Sequence, residues 1–307
     1  VPDALLDAYK AAWGSYANQI AAKELAVRSV EVEASGVGSA LRSAIGDEFT
    51  TSVVDLTVKG TINSYDVIVL RTKMPLLHEL DLSEATVVAS DMPFYNGNCT
   101  KDNDFGDYAF NGLSKLNYVK LPKDLVSVGN YMFNGCSSLR ELEIPDKVSY
   151  IGEFALGDCS LLASVEMPDA LQIIETAAFR RCSSLKSIVI PKGVKVLPDA
   201  TTLDGIGCSD PYGLFSYCSA LESVTLLNGV ENIGEAAFYE CRKLKEIKLP
   251  PTVKTIDNNA FVDCSSLEEI RIPSSVQSIG ESAFDMCGKL KKVYTYTVEP
   301  TAIKENT

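Results

Sequence analysis

Apolar and polar positions over residues 77–293 alternate in one arrangement that recurs every 23 residues. Each unit opens on Leu-x-x-Leu-x-Ile or a close equivalent, as at Leu139, Leu142 and Ile144, or Leu185, Ile188 and Ile190. The last two residues of each triplet follow a period of two, so they predict a strand with one face inward. Proline closes most of these strands, at Pro122, Pro145, Pro168, Pro191, Pro250 and Pro273. It lacks a ladder donor and fixes φ, which turns the chain. Val148 and Ile151-Gly152 follow, with Ile233-Gly234 and Ile279-Gly280 as equivalents, and the glycine is expected to permit a bend. The unit ends on Ala-Phe-x-x-Cys-x-x-Leu, as at Ala178-Phe179 and Cys182. Its three-residue step predicts one helical turn on the side opposite the strand.

A unit of this kind cannot bury its apolar groups alone. Stacking neighbours at roughly 4.8 Å buries them as continuous ladders. The expected fold is therefore an α/β repeat, a right-handed solenoid of about eight turns. The preceding residues lack the period and read as an α/β cap over residues 1–76. Helices are expected over residues 2–27, 37–45 and 63–74, with strands over 27–33 and 52–58. Such a cap covers the open end of a solenoid, which would otherwise expose unpaired strand groups. Residues 294–307 read as a closing tail.

Composition changes this picture little. Hydrophobic residues at 46% and charged ones at 22% fit a soluble folded chain. The net charge of −13 argues against nucleic acid and anionic membrane as partners. No run approaches the roughly 18 apolar residues of a membrane span. The chain begins at Val1 and not at a methionine, so the removal of a leader or of other upstream residues is expected, and a secretory or lipid-attachment signal is one reading of them.

Nine cysteines invite a disulfide framework, but seven of them occupy one slot of the repeat, and Leu113 holds that slot one turn earlier. A slot that takes Cys or Leu is a small buried apolar slot, so free thiols are expected there. Zinc is disfavoured, because there is no Cys-x-x-Cys and His78 is the only histidine. No cofactor is expected, since no Gly-rich phosphate cradle appears.

Leu-x-x-Leu-x-Ile-Pro, Val-x-x-Ile-Gly and Ala-Phe-x-x-Cys-x-x-Leu strongly resemble the BspA-like leucine-rich repeats of bacterial surface proteins, over about Leu77 to Val293. Leu56 to Leu82 is similar to the leading module of gut Bacteroidetes members. The resemblance implies an extracellular or cell-surface protein, in a family implicated in adhesion to host proteins or other bacteria. The asparagine that follows the strand in the commoner leucine-rich pattern is replaced here by proline.

Two insertions break the period, near residues 84–103 and 199–211. Insertions in repeat arrays emerge as loops and often carry binding. The first holds Phe94, Tyr95 and Cys99; Cys208 lies in the second, which Tyr212 closes. Asp102-Asn-Asp-Phe-Gly-Asp107 invites comparison with a calcium loop, though Phe105-Gly106 is in register with the repeat. Cys99 and Cys208 stand about four turns apart, beyond a disulfide unless the loops lean together. Asn98-Cys99-Thr100 fits the glycosylation triplet.

Outward strand positions vary where inward ones are fixed, so the strand face is the expected binding surface. Its candidate contacts are Tyr118, Arg140, Glu141, Lys186, Lys245, Glu268 and Arg271, with Phe94, Tyr95 and Tyr212 from the insertions. The charges drift from acidic to basic along this side. The expected function is a non-catalytic, monomeric adhesion scaffold for protein or glycan on a host or neighbouring bacterial surface. A hydrolase using Cys99 with His78, or the loop carboxylates Asp199, Asp204 and Asp210, is the alternative, and a passive spacer a further one.

Overall fold

The computed structural model describes residues 26–34, 38–47, 50–200, 211–296 and 302–303. Nearly all of the helix expected over residues 2–27 lies outside them, as do residues 201–210 of the second insertion.

Strands on one side of the molecule form a main ladder. Ala26–Val32, Val53–Ile62, Glu79–Val87 and Tyr118–Lys120 pair in that order as a parallel sheet. Glu141–Glu143, Ser164–Glu166, Ser187–Ile190 and Ser223–Leu226 continue it, then Glu246–Lys248, Glu269–Ile272 and Lys292–Thr295. This makes eleven strands among the described residues, against about eight turns expected. Two strands assigned to the cap join the ladder, and so does the last turn around Leu290.

The remaining cap elements form near their expected places. Helix Ser64–Lys73 begins on Asn63, whose side chain accepts from the Tyr65 amide at 3.0 Å. The Asp66 carboxylate accepts from the Asn63 amide at 3.0 Å, which completes a capping box. Asp66 also accepts from Ser39 Oγ at 2.7 Å and the Leu41 amide at 2.9 Å, so one buried carboxylate ties the short helix Ala40–Ile45 to its neighbour.

A second parallel ladder occupies another side. Its two-residue strands pair as two successive sheets, Ser127–Val128, Tyr150–Ile151 and Ile173–Ile174 in one, and Val196–Leu197, Asn232–Ile233 and those after them in the next. Where a glycine follows one of these strands, as at Gly129, Gly152, Gly234 and Gly280, it serves close packing rather than a left-handed bend. A Cβ on Gly152 would stand 2.5 Å from the Asn130 amide, and one on Gly280 2.4 Å from that of Asn258.

The third side corrects the expected helical turn. Alternate amides there donate to the following turn instead of along their own chain. Tyr108 N–H bonds the Asn130 carbonyl, Phe110 N–H that of Met132 and Gly112 N–H that of Asn134, at 2.8 to 2.9 Å. Two slots are left-handed in most turns, as at Tyr108, Tyr131 and Phe154, and again at Gly112, Gly135 and Asp158. A left-handed residue other than glycine costs on the order of 1 kcal/mol. The inter-turn hydrogen bonds offset that cost.

The core lies between these three sides. Phe179, Phe215, Phe238 and Phe261 are fully buried and stack with centroids 5.3 to 5.5 Å apart, as the rung spacing imposes. Leu156 interrupts this column beside Phe133. All seven repeat thiols donate to the carbonyl of the Phe slot one turn earlier, at 3.1 to 3.3 Å. Free thiols in an apolar slot are what the repeat predicts, with one correction. Cys287, in the last such turn, is only half-buried.

Candidate functional site

Outward side chains of the main ladder fall into two columns set by the parallel register. Tyr118 stands beside Glu79, Glu141 beside Ser164, and Glu269 beside Lys292. In the second column Lys120 stands beside Asp81, Glu143 beside Glu166, and Arg271 beside Tyr294. The ten expected contacts do not share one surface. Tyr118, Glu141 and Arg271 lie on the flat of this face. Arg140, Lys186, Lys245 and Glu268 each precede a strand and form its exposed rim, where Lys245 pairs with Glu222 at 2.7 Å.

Phe94, Tyr95 and Tyr212 belong elsewhere. Phe94 packs against the core. Tyr95 begins a column of rings along the turn side: Tyr108 at 5.3 Å, then Tyr131 at 4.9 Å, then Phe154 at 5.0 Å. The next residue in that slot is the small Ala177, and the ring that meets Phe154, at 5.4 Å, comes from Tyr212. Arginines cover both ends, Arg71 over Tyr95 and Arg180 over Tyr212, each 4.6 Å from the ring centroid. Burial, then the charge of Glu153, pushes the Tyr131 phenol up to about 12. These ring contacts and the arginines over both ends tie Tyr95 and Tyr212 to the scaffold.

The first insertion is strapped down in the same way. Thr100 is buried, its amide donates to Ser64 Oγ at 2.9 Å and its hydroxyl to the Val88 carbonyl at 2.9 Å. That occupies the hydroxyl of the glycosylation triplet. The calcium-like carboxylates point at separate donors: Asp102 at the Ala89 amide, Asp104 at that of Gly106 and Asp107 at that of Asn130, at 2.8 to 2.9 Å. Cys208 lies outside the described residues, so its pairing with Cys99 has no geometry here. His78 belongs to the rim of the main face and Cys99 to a groove beside the second ladder, so the structure does not bring the dyad together. Asp199 accepts from the Glu235 amide at 2.9 Å, and Asp204 and Asp210 lie outside the described residues.

The main face does hold a concavity of about 410 Å³. Tyr118, Lys120, Glu141, Glu143, Ser164 and Glu166 line it. Lys120 is drawn to Asp81 at 3.5 Å and stands over the Tyr118 ring. Glu141, Glu143 and Glu166 have no ion pair among the described residues, although Glu143 and Glu166 are direct neighbours of like charge. Farther along, carboxylates are paired: Glu222 with Lys245, Glu246 with Lys248, Glu269 with Arg271. Glu143, an outward strand residue by sequence, and Glu166 are not among the ten expected contacts; both occupy the same outward slot in consecutive units.

Residues 103–201 and 211–306 match the BspA-type leucine-rich repeat region, in six copies. A leucine-rich repeat protein of T. pallidum is 32% identical over 56% of this chain and 73% of that one, with a TM-score of 0.45. A leucine-rich repeat protein of Bacteroides ovatus is 20% identical over 90% of this chain and 82% of its own, with a TM-score of 0.51, and shares the fold. A leucine-rich cell-surface protein of Faecalibacterium prausnitzii is 20% identical over 87% of this chain and 79% of its own, with a TM-score of 0.33. No functionally curated protein matches. The repeat slots, the parallel ladders and the matched span together place this chain in the BspA-type leucine-rich repeat family.

Proposed function

We propose that this chain is a non-catalytic binding scaffold of the cell surface or extracellular space, and that it holds a protein or glycan partner on its main strand face. The supporting observation is the concavity at Tyr118, whose carboxylates lack the internal counter-ions found farther along the same face. Like charges in register destabilise a sheet by up to about 1 kcal/mol. A partner carrying Lys or Arg relieves that repulsion, with charge-assisted hydrogen bonds to Glu141, Glu143 and Glu166. Affinity then rests on few anchors, with Tyr118 central. Among the described residues no helix is long and apolar enough to cross a membrane.

A screen against extracellular-matrix proteins and a glycan array tests this reading. A true partner should lose at least about tenfold in affinity when Glu141→Lys, Glu143→Lys and Glu166→Lys are combined, a loss of about 1.4 kcal/mol. The milder Glu143→Gln should weaken binding while raising stability by less than about 1 kcal/mol. Partners that bind the triple variant as tightly as the parent chain would show that the concavity is not the site.

A further inference from the structure

The second ladder carries an exposed apolar row that its own repeat rule does not require. Its outward slot is polar at Ser127, Asn232, Thr255 and Ser278. Three consecutive turns between them carry Tyr150, Ile173 and Val196 instead. Ile173 is 49% exposed and Val196 50%, with Val126 at 41% beside them. Since polar residues serve this slot elsewhere, stacking does not demand apolar ones here.

The row opens at one end into a groove of about 570 Å³. Val126, Ser149 and Tyr150 form part of its floor, and Asn98, Cys99 and Lys101 of the first insertion form a wall. Carboxylates border this side. Tyr150 Oη lies 3.3 Å from Asn130 Oδ1, and Asn130 Nδ2 donates to Asp107 Oδ2 at 3.2 Å. Glu153 and Glu175 border this side as well, the Glu153 amide donating to Asn130 Oδ1 at 2.7 Å and the Glu175 amide to the Ile151 carbonyl at 2.9 Å; burial, with these carboxylates acting in the same direction, pushes the Tyr150 phenol up. Asp104 and Lys101 also line the groove, and Lys195 precedes Val196.

Hydrogen-bonded rungs such as Tyr150 and Ile173 present these side chains about 4.8 Å apart, and Val196 follows in the same slot of the next turn. A helix laid along the solenoid axis offers an apolar group every turn, roughly 5.4 Å, and keeps near register over three rungs. An extended segment offers one about every 6.7 Å and does not. The acidic border favours lysine or arginine on the helix flank.

We propose that the row Tyr150, Ile173 and Val196, with Val126 beside it and walled by the first insertion, is a second docking surface that takes a basic amphipathic helix of a partner protein. It is separate from the main face, and neither surface requires the other.

Cys99 supplies the test. In a Cys208→Ser background it is labelled with an environment-sensitive fluorophore and titrated with a 15-residue peptide of leucine and lysine in helical spacing. Two comparison peptides replace lysine by glutamate, or alternate leucine with lysine. The helical leucine–lysine peptide should bind at least about tenfold more tightly than either, with a clear emission shift. Ile173→Thr with Val196→Thr should weaken it about tenfold or more. Thr255 shows that the slot accepts threonine without loss of the fold. Val189→Thr, at an exposed position of the main face, should leave binding within about twofold. Equal binding by the three peptides, or by the Thr double variant, overturns the proposal. So does a dimer in sedimentation velocity that the double variant disperses, which would make a second copy the occupant. A fall in Tm of the double variant with unchanged peptide binding would mean that this chain covers the row itself.

Discussion

On the turn side, Phe179, Phe215, Phe238 and Phe261 repeat with almost no variation. On the main strand face, the equally periodic outward slot reads Tyr118, Glu141, Ser164, Ser187, Ser223, Glu246 and Glu269. The same 23-residue unit therefore contains positions held to one residue type and positions left free. The difference is burial. A Phe ring is enclosed by the rings above and below it, so its volume is fixed by its neighbours. An outward strand residue touches solvent, and substitution there shifts stability by about 0.5 kcal/mol or less. Strict repetition marks the part of the molecule that cannot vary, and so the part least able to choose a partner.

The contrast is broken most strongly through the thiols. Burial holds Cys136 and Cys218 up to about 12, and pushes Cys159, Cys182, Cys241 and Cys264 in the same direction, from an ordinary value of 9.0. These folded values lie above the unfolded one. The thiols' contribution is therefore complete below pH 9 and is lost as pH rises toward 12. Each buried thiol costs about 1.4 kcal/mol per pH unit in that window, so the six together should unfold the solenoid at alkaline pH. Denaturant melts from pH 8 to 11 should show this, and Cys182→Val with Cys241→Val should shift the transition upward in pH. At neutral pH, alkylation of native protein should modify Cys99 readily, Cys287 slowly and the other repeat cysteines not at all. Modification of those six at the rate of Cys99 would remove them from the core.

A smaller effect follows from the ring column. Phe215→Ala should cost about 3–5 kcal/mol, because neighbours fixed by the stack cannot collapse into the cavity. Phe215→Leu should cost less than about 1.5 kcal/mol, as Leu156 already holds that slot in one turn. Chemical denaturation of both variants measures this, and equal losses would mean that the column matters for its aromatic stacking and not its volume. The mildest change relieves the backbone. Asp158 has φ 56°, in the slot where Gly112 and Gly135 stand. Its 3.8 Å contact with Arg181 is an exposed ion pair, worth little. Asp158→Gly should therefore raise stability by up to about 1 kcal/mol, read as a small increase in Tm. A decrease would show that left-handed residues on the turn side are held by their side chains.

Much of the fold is legible in the chain because a period of two inside a period of 23 states which side chains are inward. Leu142, Ile144, Val148, Ile151 and Cys159 are buried as that pattern requires. The candidate surface was legible only in part. Tyr118 and Glu141 are recognisable as outward strand residues. The missing counter-ions of Glu143 and Glu166 appear only once the register sets the two side by side.

By itself, the sequence determined the repeat, its inward slots, the thiol state and the positions of the insertions, since each follows from local periodicity and residue volume. Tertiary structure alone decided the rest. The turn side is left-handed rather than helical because its amides find partners 22 residues on, as Tyr108 does at Asn130. Tyr95 and Tyr212 close a ring column away from the main face because Tyr108, Phe154 and Ala177 prepare places for them. Each of these outcomes depends on which residues of neighbouring turns are brought into contact. A one-dimensional pattern specifies burial, and it leaves those contacts to the stacking of the turns.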